Sequence, residues 1–128
     1  MKAIKLFLLS SFMLFGSVMF AQYDDLNLAL KTGNTNALLQ FCSSNVELIF
    51  DEKEGVYSKS QASIILKDFF KKNSPTAFNV THKGGEQELK YVIGQLITSG
   101  GEYRVHYFMK KENDKPFVYQ LRITQKKF

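Results

Sequence analysis

Three turn pairs constrain this chain more than anything else in it: Gly84-Gly85, Gly100-Gly101 and Asn113-Asp114. Each is built from residues that tolerate positive φ. Each separates stretches in which apolar and polar residues alternate, at 77–83, 87–98, 102–111 and 116–125. Period-two alternation marks a strand with one buried face. Three successive hairpins therefore predict a four-stranded antiparallel meander across the second half of the chain.

The first half follows a different rhythm. Leu26, Ala29 and Leu30 place an apolar face on a helix that Gly33 terminates. Asn34-Thr35-Asn36 offers caps for a second short helix over Ala37–Phe41. Val46, Leu48 and Phe50 share one face of a strand. The charged turn 51–55 follows, and Val56-Tyr57 pairs back. Ser58 and Gln61 have the spacing of a capping box, opening a long helix that runs to about residue 73. Ala62, Ile65, Leu66 and Phe69 form its apolar stripe, with Phe70 beside it. Lys67, Lys71 and Lys72 suit the negative end of the helix dipole, and Pro75 forbids continuation.

Ahead of these elements lies an address. Lys2 and Lys5 precede an uncharged apolar run from Leu6 to Phe20, and Ala21 is followed at once by polar residues. This is the order of a secretory signal peptide, with cleavage expected after Ala21. The run of about 15 residues falls short of the ~20 that a spanning helix needs. An uncleaved membrane anchor is the alternative. The expected organisation is thus a signal peptide at 1–21 and a single domain at 22–128, exported to the periplasm or beyond, with no stable membrane insertion after cleavage. Without Lys2 and Lys5 the net charge falls from +5 to +3. That is too weak a field to argue for a nucleic-acid partner.

Helix, helix, strand, short strand, long helix and four strands predict an α+β fold. Its economical form is a cone-shaped, strongly curved antiparallel sheet wrapped around a long helix. That order, from 23 to 125, resembles the nuclear transport factor 2-like or cystatin-like roll. The run Gly55-Val56-Tyr57-Ser58-Lys59-Ser60-Gln61-Ala62 carries a narrower likeness, as do Leu66-Lys67-Asp68-Phe69-Phe70, His82-Lys83-Gly84 and Tyr91-Val92-Ile93-Gly94. Together they resemble a family of small secreted bacterial proteins, domain of unknown function 4783. The resemblance implies fold and export; it supplies no catalytic residues.

Strand parity predicts which side chains face the helices. The expected inner rows are Phe78, Val80 and His82; Leu89, Tyr91, Ile93, Gln95 and Ile97; Tyr103, Val105, Tyr107 and Met109; and Phe117, Tyr119, Leu121 and Ile123. A β-bulge would invert part of a row. These rows hold no carboxylate, which weighs against acid–base enzymes that need a base facing the pocket. Asp68, at the edge of the helix stripe, reads as a solvated carboxylate. His82 is the one candidate for chemistry, His106 reads as surface, and the two lie on opposite rows with no ligand set around them, so no metal or other cofactor is expected. Cys42 reads as a packed thiol. Tyrosines with apolar bodies and hydroxyl tips suit a pocket of mostly hydrophobic lining.

The leading expectation is a non-catalytic domain that binds a small apolar ligand inside the cone, lined by Tyr57, Phe69, His82, Tyr91, Tyr103, Tyr107 and Tyr119. The alternatives are a His82–tyrosine acid–base enzyme for isomerisation or dehydration, and a homodimer formed through outer-row Val92, Leu96, Phe108 and Val118.

Overall fold

The computed structural model describes residues 23–126. The expected signal segment 1–21 lies outside them. Helix α1 occupies 23–32 of the described residues. It is followed by α2 (Thr35–Gln40), β1 (Cys42–Phe50), β2 (Lys53–Ser58), α3 (Lys59–Lys72), β3 (Pro75–Gly85), β4 (Leu89–Thr98), β5 (Gly101–Glu112) and β6 (Lys115–Gln125). None of the helices in this span is long and apolar enough to cross a membrane.

Local chemistry accounts for the boundaries. Gly33 adopts φ +67° after α1, and the Asn34 N–H returns to the Ala29 carbonyl at 2.9 Å. Such a six-to-one bond closes a Schellman ending. The Asn34 side chain then caps α2 by accepting from the Ala37 N–H at 3.1 Å. At α3 the capping box forms in both directions. Ser58 Oγ accepts from the Gln61 N–H at 3.3 Å, and Gln61 Oε1 accepts from the Ser58 N–H at 3.2 Å. Asn73 ends α3, its side-chain N–H donating to the Phe69 carbonyl at 3.1 Å. Asn113 and Asp114 both take positive φ, the geometry of a type I′ hairpin.

One curved, six-stranded sheet runs in the order β2-β1-β6-β5-β4-β3. The meander expected from the turns occupies β3 to β6, each pair antiparallel. The joint between the two halves is the exception, because β1 pairs with β6 in parallel, Leu48 beside Leu121 and Phe50 beside Ile123. The geometry follows from the connection. From β2 the chain crosses through α3 to the far edge at β3, then walks back strand by strand until β6 lands beside β1.

The helices cover one face. Leu26, Ala29 and Leu30 of α1 are buried, as their spacing predicts. So are Leu38 of α2 and Ala62, Leu66 and Phe70 of α3. They meet an inner sheet row that runs from Leu48 through Leu121 and Tyr107 to Val92. A second row runs from Phe50 through Ile123 and Val105 to Gly94 and Val80. In α3 the buried stripe is turned slightly from the expected one: Phe70 is buried, whereas Ile65 and Phe69 are only partly covered, at the edge.

Candidate functional site

The structure divides the seven expected pocket residues between two faces. Tyr57, Phe69, Tyr103 and Tyr107 lie on the helix side. Tyr91, Tyr119 and His82 lie on the opposite, outer side, and each displacement has a physical cause. On β4 the whole row is inverted. Val92 pairs with inner Tyr107 and Leu96 with inner Tyr103, so Tyr91, Ile93, Gln95 and Ile97 face outward. The concave side of a curved sheet is crowded, and two tyrosines from β5 already fill it. Their neighbours on β4 are accordingly smaller, and Gly94 leaves room for the Phe78 ring, which a Cβ there would strike.

On β3 the register shifts between Val80 and His82, which brings His82 opposite outward Ile93. His82 is exposed, with its Nδ1 3.1 Å from the Thr81 hydroxyl. On β6 the register shifts where Phe108 pairs with Gln120 but Met109 pairs with Val118. That bulge turns Val118 into the core and sends Tyr119 outward, 6.2 Å from the Phe108 ring. The residues expected on a dimerising outer face change with it. Val92, Leu96 and Val118 are core residues, and Phe108 alone of the four remains outside.

Inside the cone the space is filled. Tyr107 is 1% exposed, and its hydroxyl donates to Asn27 Oδ1 of α1 at 2.8 Å. The Tyr103 hydroxyl donates to Asn73 Oδ1 at 2.9 Å. Both hydroxyls are therefore engaged with the helix layer, Tyr107 at the middle of α1 and Tyr103 at the C-cap of α3. Burial raises the Tyr107 pKa, with a smaller push from Tyr23. Tyr103 is raised by burial and then by the Asp51 carboxylate. Cys42, donating weakly to the Leu38 carbonyl at 3.5 Å, is pushed up to about 12 by burial, against a small opposing pull from Lys59. A thiol so protonated is no nucleophile near neutral pH.

What remains open on the helix side is the cone's rim. A cleft of about 340 Å³ lies between α3 and strands β1 and β2. Leu48, Phe50, Tyr57, Ile65 and Phe69 supply apolar walls, and Lys53, Asp68, Lys72 and Asn73 a polar margin. The Phe69 ring holds the centre, 5.3 Å from Phe50 and 5.1 Å from Tyr103. Asp68 and Lys72 pair at 3.0 Å in solvent, so Asp68 is a surface carboxylate as its spacing suggests. Leu48, Phe50 and Asn73 were not among the expected site residues. The pairing of β1 with β2 places the first two there, and the helix C-cap places the third.

The outer face carries a second constellation. Tyr91, His106, Phe108 and Tyr119 form a ladder of rings, with His106 stacked on Phe108 at 4.4 Å. Beside it Arg122 lies opposite His106, and Arg104 lies two residues back along β5. Burial lowers the His106 pKa, and the Arg104 and Arg122 charges lower it further. Among the described residues no three His, Cys, Asp or Glu side chains converge as a metal site would require.

A family model described as "Domain of unknown function (DUF4783)" matches residues 23–124. A crystal structure of a DUF4783 family protein from Bacteroides ovatus is 32% identical, covering 81% of this chain and 94% of its own, with a TM-score of 0.78. One from Bacteroides uniformis is 31% identical, covering 82% of this chain and 97% of its own, with a TM-score of 0.79. A nuclear transport factor 2-like protein of unknown function from Shewanella oneidensis is 13% identical, covering 84% and 96%, at a TM-score of 0.65. At that identity the likeness is one of fold. No curated protein matches this chain.

Proposed function

Because the chain belongs to the DUF4783 family, a domain of unknown function with a nuclear transport factor 2-like fold, we propose a role that rests on its own surfaces: an exported, non-catalytic domain that binds a small apolar ligand in the cleft between α3 and strands β1 and β2. Export rests on the positive, then apolar, then small-residue order of residues 1–21, which leaves 22–128 as the working domain. The binding role rests on one observation. Phe50, Tyr57 and Phe69 stay only partly covered at the rim of an otherwise filled core, with a polar margin around them. Apolar walls with a few polar groups at the edge are the usual composition of small-molecule sites. The ligand would lie against the Phe69 ring rather than deep in the cone, where Tyr103 and Tyr107 take up the room.

The acid–base alternative has no comparable support. His82 faces solvent on the outer side, while the Tyr103 and Tyr107 hydroxyls are held by Asn73 and Asn27. A neutral fluorescent probe such as N-phenyl-1-naphthylamine tests the reading. Saturable binding that weakens at least tenfold in Phe69→Ser and is unchanged in Tyr91→Ser supports it. Equal binding by all three proteins overturns it.

A further inference from the structure

We propose that the outer face of β5 and β6 carries an oxyanion site, in which Arg104 and Arg122 hold the carboxylate or phosphate head of a small hydroxyl-bearing anion. The site is separate from the α3 cleft and stands whether or not that cleft binds anything.

The register assembles it. Arg104 lies opposite Thr124 and Arg122 opposite His106, so the two arginines are diagonal neighbours on one face of an antiparallel pair. Diagonal positions lie ~7–8 Å apart, within reach of long side chains. Two guanidinium groups can thus converge on one anion, each offering a planar fork of donors suited to carboxylate or phosphate.

Neither guanidinium is joined in an ion pair among the described residues. The ion pairs among the described residues join Lys72 to Asp68 and Lys126 to Glu102. Glu102 also accepts from Gln95, and Glu47 accepts from Gln120. The carboxylates flanking the pair on this face are Glu102, two residues before Arg104 on β5, and Glu47, diagonal to Arg122 across β1 and β6, each held by the partners just named.

The face is also hollow at this point. A cavity of about 270 Å³ is lined by Arg104, His106, Arg122 and Thr124. It shares Arg104 and Thr124 with an open groove of about 470 Å³, whose walls include His82, Gln95 and Gln125. Arg104 and Arg122 bring cations to the cavity and Lys126 one more to the groove, among hydroxyl, amide and imidazole groups. That lining matches an acid group attached to a body bearing hydroxyls, of the size of a sugar phosphate or a sugar acid. His106, stacked on Phe108 and with its pKa lowered by burial and then by its arginine neighbours, can turn one N–H toward the head.

Titrating the protein with glucose 6-phosphate, with glucuronate and with glucose, followed by amide and imidazole NMR, tests the site and tells phosphate from carboxylate. At least one of the two acids should bind saturably and shift the Arg104, His106, Arg122 and Thr124 signals. It should raise the His106 pKa by about half a unit or more, since the added negative charge offsets the arginines. Glucose should leave these signals in place. The double variant Arg104→Gln, Arg122→Gln should weaken binding at least tenfold, whereas Lys72→Gln at the α3 cleft should not change it. The proposal is overturned if neither acid moves these signals, if glucose binds as tightly as the acids, or if the double variant binds as well as the parent.

Discussion

The Tyr107 hydroxyl reaches across the core from the middle of β5 to donate to Asn27 of α1 at 2.8 Å. A side chain 1% exposed is thereby tied to the first helix by its polar tip. The sheet interior and the helix layer are fixed to each other at that point.

Removing the tip alone measures the tie. Tyr107→Phe should lower the unfolding free energy by about 1 kcal/mol, since one hydrogen bond is lost while the ring stays packed. Tyr107→Ala should cost about 3–5 kcal/mol by leaving a ring-sized void. Urea denaturation with an unchanged slope distinguishes the two. A Phe variant as stable as the parent would mean that water serves the hydroxyl equally well.

Gly94 predicts an effect of unusual sign. Glycine in a strand interior is ordinarily a weakness that alanine repairs by roughly 0.5–1 kcal/mol. Here the Phe78 ring occupies the place of the missing Cβ. Gly94→Ala should therefore destabilise by about 1–3 kcal/mol, the range for overpacking. Adding Phe78→Leu should restore most of the loss. Thermal denaturation of the single and double variants checks both parts.

Stability should fall on the alkaline side. Cys42, Tyr103 and Tyr107 all have raised pKa values in the fold, with Cys42 lifted from 9.0 to about 12. An unfolded chain releases these protons first, so their contribution is whole below about pH 9 and is lost as pH climbs through the folded values. Each fully buried group adds at most ~1.4 kcal/mol per pH unit. Urea midpoints between pH 8 and 11 should decline, and Cys42→Ala should flatten the part that starts near pH 9. The native thiol should also resist a disulfide reagent at pH 8 and react once the protein is unfolded. A midpoint constant to pH 11 would contradict the burial of these groups.

Element order was legible in the chain because its signals are local. The capping residues Ser58 and Gln61, the terminating Gly33 and the Asn113-Asp114 turn all act on backbone within a few positions of themselves. Facing was harder to read. On β4, Tyr91, Ile93 and Ile97 are as apolar as Val92 and Leu96, so hydrophobicity could not choose between the rows; the crowding by Tyr103 and Tyr107 chose. Gly94 was the available clue, since an interior glycine signals that something passes close by. The bulges that turned His82 and Tyr119 outward leave no mark in composition. The arginine pair depends on the same β6 bulge. Counted from the closing pair Glu112–Lys115, the hairpin would set Arg104 and Arg122 on opposite faces, and the shift at Tyr119 brings them diagonally onto one.

The parallel joint between β1 and β6 has a consequence for how such a chain is made. Strand β1 forms early in synthesis but finds its inner neighbour only when residues 115–125 arrive. Until then the β1–β2 hairpin and the growing meander each present an unpaired edge, and an open edge invites pairing with another chain. The last strand acts as a clasp: contacts far apart in sequence must close before the sheet exists as one body, which slows the search for the native state. Loss of β6 would cost more than one strand, because it would sever the two halves of the sheet from each other.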